Sequence, residues 1–579
     1  MLSQALEHLP WQLVNEDRFA GTIPKNKKMN KLSRHKKPHK SKIPLIKPDW
    51  MERYGYVLLI ALLVLTALLR LRLLAIPLER DEGEYALFGQ LMLRGIPPWE
   101  AAYNMKFPGT YFFYALIMML FGQSVTAIHL GLLLVNAGTI TFLYLLMRRL
   151  TTASAAFMAA AVFALLSISP TVLGFAGHAT HFVMLMAIAG LWLLQKALEK
   201  GKVIWMLSAG VLLGAAPLMK QSGVFFSFFG AAVIIIWSII NEKGNLRRFA
   251  RNMGLYFAGG MFPIIITALL LLYWNVWERF WFWTIEYSFS YTEQVSAEYA
   301  WQNLINNSLY VMEGWVAMWI AAAAGVVVLF VDKRFGQRRF SQYFLLLFLA
   351  FSLLSLVPGF YFRAHYYVMV LPAVAMLAAI ALDYLASVSS RKWFPLLSGL
   401  ILFVIIAIGI RHHRDYFFED TPAEISRNIY GLNPFPESEA IGDFIKKNSN
   451  PGDTLAVIGS EPQLYFYSKL MPATGYIYTY PLMELHPYNT QMQQEMIAEV
   501  EAAHPQILVY VSIDKTWLRK PDSPLDIFYW IGQYASSGYD LIGVVEIFNN
   551  NTVYKFTPQA LTDTRKAPNQ VLIYKRKQS

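Results

Sequence analysis

The sequence predicts an α-helical polytopic membrane protein with about eleven transmembrane helices and a carboxy-terminal soluble α/β domain. Of its 579 residues, 56% are hydrophobic and only 15% are charged, against roughly 45–50% and about 25% in soluble proteins. Apolar runs long enough to cross a bilayer recur as far as residue 411, and the composition then becomes that of a soluble domain. These observations exclude a single soluble globular domain and a disordered chain. The absence of cysteine also excludes disulfide scaffolds and thiolate nucleophiles.

The positive charge is concentrated ahead of the first apolar run. The formal net charge is +12, and ten lysines and arginines lie between Lys25 and Lys47 with no acidic residue among them. Basic residues beside a first span are retained in the cytoplasm and attract anionic lipid head groups. Residues 1–50 are therefore predicted to be a disordered cytoplasmic tail. No nucleic-acid partner is expected, because no basic folded face or known motif accompanies the charge.

Eleven apolar stretches have roughly the 17–25 residues that a membrane span requires. They lie near 54–76, 124–147, 152–169, 179–195, 203–219, 222–240, 253–274, 311–331, 341–357, 366–387 and 393–411. The basic linkers are every second linker, so all of them fall on the cytoplasmic side, as the positive-inside rule predicts, when the short apolar run 111–120 is a juxtamembrane helix on the outer face. This parity predicts a multi-pass plasma-membrane protein with a cytoplasmic amino terminus. With eleven spans, the segment 77–123 and residues 412–579 then lie outside, and the exact span count stays open between 11 and 13.

The linkers predicted to lie outside carry unusual ionisable residues. The first outer loop begins Glu79-Arg80-Asp81-Glu82-Gly83-Glu84-Tyr85 and leads to Lys106-Phe107-Pro108. Later linkers contain Met219-Lys220-Gln221 and Arg363-Ala364-His365-Tyr366-Tyr367. Ionisable groups at a membrane boundary are often functional, although a solvated loop or a snorkelling lysine is the ordinary alternative.

These motifs, with the break at Phe121-Gly122, resemble the polytopic class C (GT-C) glycosyltransferases. The similarity is to the protein-mannosyltransferase-like superfamily, which includes lipid A aminoarabinose transferase. The resemblance implies a GT-C-like catalytic region at 51–411. It also implies transfer of a hexosyl or pentosyl group from a polyprenyl-phosphate donor to a hydroxyl acceptor on a lipid, a cell-envelope glycan or a protein. A lipid-linked sugar transporter or flippase, a polysaccharide polymerase and a membrane-anchored binding protein remain alternatives.

The resemblance also implies roles for particular residues. A glycosyl phosphate carries its own leaving group, so transfer needs a carboxylate base for the acceptor hydroxyl and cations for the departing phosphate. Asp81 is predicted to be the base, with Glu82 orienting the acceptor or holding a divalent ion. The predicted donor-phosphate ligands are Lys106, Lys220, Arg363, His365 and Tyr366.

Five further residues are weaker candidates. Glu84 is also explained as a helix-terminus acid. Arg70 and Arg72 end the first span on the predicted outer side and face either the donor phosphate or ordinary head groups. His178 and His181 stand three apart where many relatives carry an acid. With Glu82 they form a weak candidate set for a divalent metal ion.

The region 412–579 predicts an extracytoplasmic α/β domain, to which we assign acceptor recognition. Strands near 454–459, 507–512, 541–548 and 571–575 alternate with helical patterns near 437–448, 490–503 and 525–537. Five tyrosines between 463 and 480 either pack in its core or contact a saccharide. Similarly, the aromatic linker 275–307 predicts an interfacial belt or a lid over the site.

Overall fold

The computed structural model describes residues 50–389, 391, 393–549, 551–562 and 567–577. The predicted tail, residues 1–50, lies outside the described residues except for its last position. Residues 50–579 form one compact unit. The boundary placed at 411/412 between a membrane region and a soluble domain therefore stays a prediction.

The described residues from 50 to 412 are mostly helical. Its helices are α1 (Trp50–Leu71), α2 (Arg80–Leu93), α3 (Gly109–Phe121), α4 (Val125–Leu150), α5 (Ala153–Leu166), α6 (Ala179–Lys200), α7 (Val203–Met219), α8 (Val224–Asn241), α9 (Leu246–Tyr273), α10 (Trp277–Trp281), α11 (Ser288–Glu293), α12 (Ala297–Met312), α13 (Val316–Val331), α14 (Lys333–Gln337), α15 (Arg339–Leu354), α16 (Leu371–Ser387) and α17 (Trp393–His412). Short 3-10 turns at Pro170–Val172, Gln221–Gly223 and Ala364–Met369 connect some of them, and a π-helical stretch covers Phe282–Tyr287.

Six of the described helices are long and apolar enough to cross a membrane: α1, α4, α6, α8, α9 and α17. The pair α12 and α13, bent by 106°, makes a seventh if it is one broken span. Further apolar helices of 10–17 residues are α3, α5, α7, α15 and α16. Each of the eleven predicted stretches overlaps one of these helices, but the number that cross the bilayer stays a prediction.

Two details of these helices differ from the sequence prediction. The stretch 366–387 becomes helical only at Leu371, because Ala364–Met369 forms a 3-10 turn that ends before Pro372. The linker 275–307 is largely helical rather than a loop. Its Trp283 and Tyr287 are buried, because they pack against the carboxy-terminal region through Tyr476 and Glu484. These two rings therefore pack within the protein, and the interfacial belt stays a prediction for the rest of the linker.

Small residues let the helices approach closely. A Cβ added to Gly214 of α7 would lie only 2.1 Å from the carbonyl oxygen of Gly260 in α9. The two backbones are thus in direct contact, which is how membrane helices commonly pack. This packing fixes α7, whose carboxy terminus presents Lys220.

The carboxy-terminal region has the predicted α/β architecture. Its helices are α18 (Pro422–Tyr430), α19 (Ser438–Lys447), α20 (Gln463–Ser468), α21 (Tyr480–Met483), α22 (Asn489–Ala503), α23 (Asp514–Trp517), α24 (Asp526–Gly538) and α25 (Pro558–Leu561). Its strands are β1 (Thr454–Ile458), β2 (Met471–Pro472), β3 (Ile507–Ser512), β4 (Tyr539–Ile547), β5 (Thr552–Lys555) and β6 (Asn569–Arg576). They form one mixed sheet in the order β2-β1-β3-β6-β4-β5. The parallel pair β1 and β3 is central, with Leu455 opposite Ile507, and its apolar side chains are buried as a central strand requires.

The short helix α2 docks onto this region. A Cβ on Gly83 would lie 2.6 Å from the Cβ of Gln463 in α20. Arg80 makes an ion pair with the buried Glu461, with Nη2 2.7 Å from Oε1, and also donates to the carbonyl oxygen of Ser460. The amino terminus of α2 is thus held by the carboxy-terminal region.

Candidate active site

A cavity of about 1260 Å³ lies between the apolar helices and the carboxy-terminal region. Its walls come from the start of α2, the turns that precede α6 and α8, the α11–α12 segment, the 358–366 loop and parts of 476–485 and 518–520. Seven residues predicted from the sequence line it: Asp81, Lys106, His178, Lys220, Arg363, His365 and Tyr366. The fold therefore brings together most of the predicted site.

Lys106 lies between two carboxylates of α2. Its Nζ is 2.8 Å from Asp81 Oδ1 and 2.6 Å from Glu84 Oε2. Asp81 and Glu84 are three residues apart and so share a helix face. The Tyr111 hydroxyl donates to Glu84 Oε1 at 2.6 Å, and the Tyr478 hydroxyl lies 3.0 Å from Glu84 Oε2. Glu84 therefore belongs to the network that fixes Lys106, and it lies beyond the first turn of α2.

The pKa of the Asp81 carboxyl is held well below its ordinary value. Burial alone would raise this pKa, but the positive charge of Lys106 and its hydrogen bond to Asp81 outweigh burial. Burial lowers the pKa of the His178 and His365 imidazoles, that of His178 to about 4. At neutral pH both rings are therefore uncharged, and Lys106 is the cation that keeps Asp81 ionised, as a general base must be.

Glu82 faces the protein interior and does not line the cavity, because successive helical residues point about 100° apart. Its Oε1 accepts the backbone N–H of Gly177 at 2.6 Å and lies 3.0 Å from His129 Nε2. The other ring nitrogen of His129 is 2.9 Å from the carbonyl oxygen of Leu74. Glu82 therefore connects α2 to α4 and to the turn that carries His178. This placement differs from the predicted one, beside the acceptor or an ion.

His178 and His365 stack, with ring centroids 4.1 Å apart and planes inclined by 9°. His178 Nδ1 lies 3.8 Å from Asp81 Oδ2, and ligand atoms of these three residues all lie within 4.8 Å of one another. Both ring nitrogens of His178 are buried without a hydrogen-bond partner in the described part of the chain. His181 is buried in α6 and does not line the cavity. The structure thus assembles Asp81, His178 and His365 rather than the predicted set of Glu82, His178 and His181.

Two further cations, Lys220 and Arg363, face the cavity. The Nζ of Lys220 lies 4.0 Å from the ring centroid of Tyr366. Arg363 donates to the Tyr291 hydroxyl at 3.1 Å and lies 5.2 Å from the ring centroid of Tyr361. Among the described residues, neither cation has a carboxylate within ion-pair distance. Both are therefore free to meet an anionic ligand.

Arg70 and Arg72 donate hydrogen bonds to backbone carbonyl oxygens away from the cavity. Arg70 is buried and donates to the carbonyl oxygens of Gly174 at 3.0 Å and Ser167 at 3.1 Å. Arg72 donates to the carbonyl oxygen of Asp420. Neither lines the cavity, so the structure gives both a role in holding loops together rather than the predicted contact with phosphate.

The cavity also contains residues that the sequence prediction missed. Glu79 caps α2, with Oε1 accepting the N–H of Glu82 at 2.9 Å. Burial and the charges of Asp81 and Glu82 raise the pKa of Glu79 well above its usual value. Tyr478, Arg519 and Lys520 enter from the carboxy-terminal region. The tyrosine-rich stretch was a signal for Tyr478, but the position of the two cations depends on docking between distant parts of the chain.

Comparison with known proteins gives a partial family match. Residues 105–274 match the family model described as dolichyl-phosphate-mannose-protein mannosyltransferase. This range contains Lys106, His178 and Lys220 and ends before the Arg363 loop. None of the curated proteins matches the chain in sequence.

Solved structures match over most of the chain. ArnT from Cupriavidus metallidurans, bound to undecaprenyl phosphate, matches with a TM-score of 0.54 at 16% identity, covering 90% of this chain and 98% of its own. The oligosaccharyltransferase AglB from Archaeoglobus fulgidus, with an inhibitory peptide and a dolichol-phosphate, matches with a TM-score of 0.50 at 14% identity, covering 88% and 75%. The Archaeoglobus fulgidus oligosaccharyltransferase with Zn and sulfate matches with a TM-score of 0.53 at 16% identity, covering 85% and 72%.

At these identities the likeness concerns the fold. The apolar helices of the described chain make it an integral membrane protein. The resemblance seen in the sequence is thereby confirmed: the chain has the fold of the polytopic class C glycosyltransferases, and its residues 105–274 match the protein mannosyltransferase family.

Proposed function

We propose that this protein is a membrane glycosyltransferase that moves a sugar from a polyprenyl-phosphate donor to an acceptor hydroxyl. The observation that carries this proposal is the Asp81 carboxylate 2.8 Å from Lys106 Nζ, in one cavity with Lys220 and Arg363, which have no carboxylate partner among the described residues. The family match and the lipid phosphates bound to the structural relatives support it. Carboxylate and cations meet the two needs of transfer from a glycosyl phosphate, which are a base and charge stabilisation.

The residues divide into two roles. Asp81 takes the proton of the acceptor hydroxyl as its oxygen attacks the anomeric carbon. The bond from that carbon to the phosphate oxygen breaks, and polyprenyl phosphate leaves with the bonding pair. Lys220 and Arg363, with Lys106 nearby, stabilise the charge that develops on the phosphate. His365 and Tyr366 complete the wall on this side.

The location follows from the charge pattern of the sequence. We place the amino terminus in the cytoplasm and the cavity at the outer face of the plasma membrane, because the basic linkers alternate with those that line the site. In this arrangement residues 412–579 lie outside and present the acceptor. A polyprenyl-linked sugar is a donor suited to that compartment, because nucleotide sugars are absent there.

The donor set of Asp81, His178 and His365 also suits a divalent cation. Two uncharged imidazoles and a carboxylate are common ligands of Zn²⁺, and the unpartnered ring nitrogens of His178 fit such a role. A bound cation would supply positive charge beside the departing phosphate. Removing metal with EDTA and then adding Mg²⁺, Mn²⁺ or Zn²⁺ tests this set. Recovery with one of these ions supports it, and full activity in EDTA contradicts it.

The proposal is tested by a transfer assay with purified protein in lipid nanodiscs. A panel of polyprenyl-phosphate sugars is supplied with a mixed acceptor fraction, and released polyprenyl phosphate is measured. We expect release with at least one donor, and a higher donor KM in Lys220→Met than in wild type. The exposed Lys243 gives the matched control Lys243→Met, which should behave as wild type. No release with any donor, or equal effects of the two substitutions, contradicts the proposal.

A further inference from the structure

One wall of the cavity consists of uncharged polar side chains on α12. Tyr299, Asn303 and Asn307 all line the cavity. They follow one another at intervals of four residues, so they lie along a single helix face. We call these three residues the α12 wall.

The α12 wall contains a polar group with an unmet hydrogen bond. The side-chain Nδ2 of Asn303 is buried and has no hydrogen-bond partner among the described residues. A buried donor without an acceptor is unfavourable, and this donor belongs to a residue that borders the cavity. Rotation of this amide toward the cavity would let it donate to an oxygen atom of a ligand.

The segment before α12 extends the same chemistry. Ser288, Thr292 and Gln294 also line the cavity, and they carry hydroxyl and amide groups that both donate and accept hydrogen bonds. Beside them the rings of Tyr291 and Tyr361 stack, with centroids 4.8 Å apart and planes inclined by 20°. A sugar ring presents vicinal hydroxyls, which pair with amides and hydroxyls, and C–H groups, which pack against aromatic faces. This segment therefore carries the combination of groups that suits a sugar ring.

Other occupants fit this wall less well. An acyl chain would leave the Asn303 Nδ2 donor without a partner. A charged head group would find no opposite charge on the three residues of the α12 wall. The volume of about 1260 Å³ also exceeds the roughly 300–1,000 Å³ of a typical small-molecule site, which leaves room for a second sugar beside the donor.

We propose that the α12 wall binds a saccharide, so that the acceptor hydroxyl belongs to a glycan. This inference rests on the proposed transferase function, and it selects one class among the lipid, glycan and protein acceptors. The acceptor glycan lies along α12 and presents one hydroxyl to Asp81. The donor phosphate stays near Lys220 and Arg363.

The matched variants are on one helix. Asn303→Ala and Asn307→Ala each remove an amide from the α12 wall. Asn306→Ala removes the same group from a neighbouring residue that is exposed and does not line the cavity. Purified proteins in nanodiscs are titrated with tetrasaccharides of glucose, mannose and galactose and with a serine- and threonine-rich octapeptide. Binding is followed by tryptophan fluorescence, and polyprenyl phosphate release by the donor assay.

We expect at least one tetrasaccharide to bind and to accelerate release from the donor. Asn303→Ala and Asn307→Ala should each raise the KM for that acceptor about tenfold, the loss expected for one hydrogen bond, without changing the donor KM. Asn306→Ala should match wild type. Transfer to the octapeptide but to no saccharide overturns the inference and leaves the transferase function intact, as does an equal effect of the three substitutions. Absence of release with every donor and acceptor overturns the proposed function itself.

Discussion

Glu82 shows how the orientation of one side chain decides its role. It follows Asp81 directly, yet it is fully buried and accepts the N–H of Gly177, the residue before His178. We therefore assign Glu82 to positioning rather than to contact with substrate. His129, which the sequence prediction did not single out, supports Glu82 from α4.

Substitution of Glu82 tests this positioning role. Glu82→Gln keeps an acceptor for the Gly177 N–H, whereas Glu82→Leu leaves that donor unpaired at a cost of about 1–3 kcal/mol. We expect Glu82→Leu to lower the melting temperature and the transfer rate, and Glu82→Gln to keep most of both. Melting curves and rates are measured on the same preparations. Wild-type stability in Glu82→Leu would show that Glu82 does not hold this turn.

His178 links the stability of the protein to pH. Burial lowers its pKa in the folded protein to about 4, from an ordinary value of 6.5. Below pH 6.5 the unfolded chain binds a proton that the folded protein does not, so stability falls as the pH drops from 6.5 towards 4. The loss from this one group is about 2 kcal/mol at pH 5.

This pH effect is measured as the difference in melting temperature between pH 7.5 and pH 5, in the presence of EDTA. The variant His178→Gln has no titrating ring, so it should lose less stability over this interval than wild type. Equal losses in the two proteins would mean that His178 is not a buried uncharged imidazole.

At the scale of elements, the contact between α2 and α20 positions the catalytic helix. Gly83 faces the backbone of Gln463, whose nitrogen would lie 2.7 Å from an added Cβ. The amino terminus of α2 is also held by the ion pair between Arg80 and Glu461. The carboxy-terminal region thus fixes the direction in which Asp81 points.

A methyl group added at Gly83 tests the contact between α2 and α20. Gly83→Ala places a Cβ against backbone atoms that no side-chain rotation can move, so we expect α2 to shift and the transfer rate to fall at least tenfold. The control is Gly532→Ala in α24, where nothing lies within 4 Å of the added Cβ. That change should leave activity intact and raise stability by up to about 1 kcal/mol. Full activity in Gly83→Ala would show that this contact does not position Asp81.

Whole helices and strands were predictable because local patterns define them. The buried strands β1 and β3 are continuous apolar runs, and each predicted span overlaps a helix. The direction in which each side chain of a helical turn points was not predictable from these patterns. Contacts between residues far apart in the sequence were not predictable either. Asp81 and Glu82 are adjacent in sequence but point to different environments, and the stacking of His178 on His365 joins residues that no periodicity relates.

At the scale of the whole molecule, the account depends on which side of the membrane the cavity faces. The basic amino-terminal tail and an odd number of spans predict that the carboxy terminus lies outside. A reporter fused after residue 579 that is active only outside the cytoplasm should therefore be active. The same reporter fused at the amino terminus should be silent. A silent carboxy-terminal fusion would place residues 412–579 on the cytoplasmic side and contradict the predicted orientation.

The central claim is that Asp81 is the base in transfer from a lipid-phosphate sugar. The most direct measurement is the transfer rate of Asp81→Asn, with donor affinity measured in parallel to show that the cavity is intact. Asparagine keeps the size of the side chain but cannot take the proton, and a positioned base contributes about 10²–10⁴-fold. We predict a loss of that size with donor binding retained. A rate within about twofold of wild type would contradict the assignment.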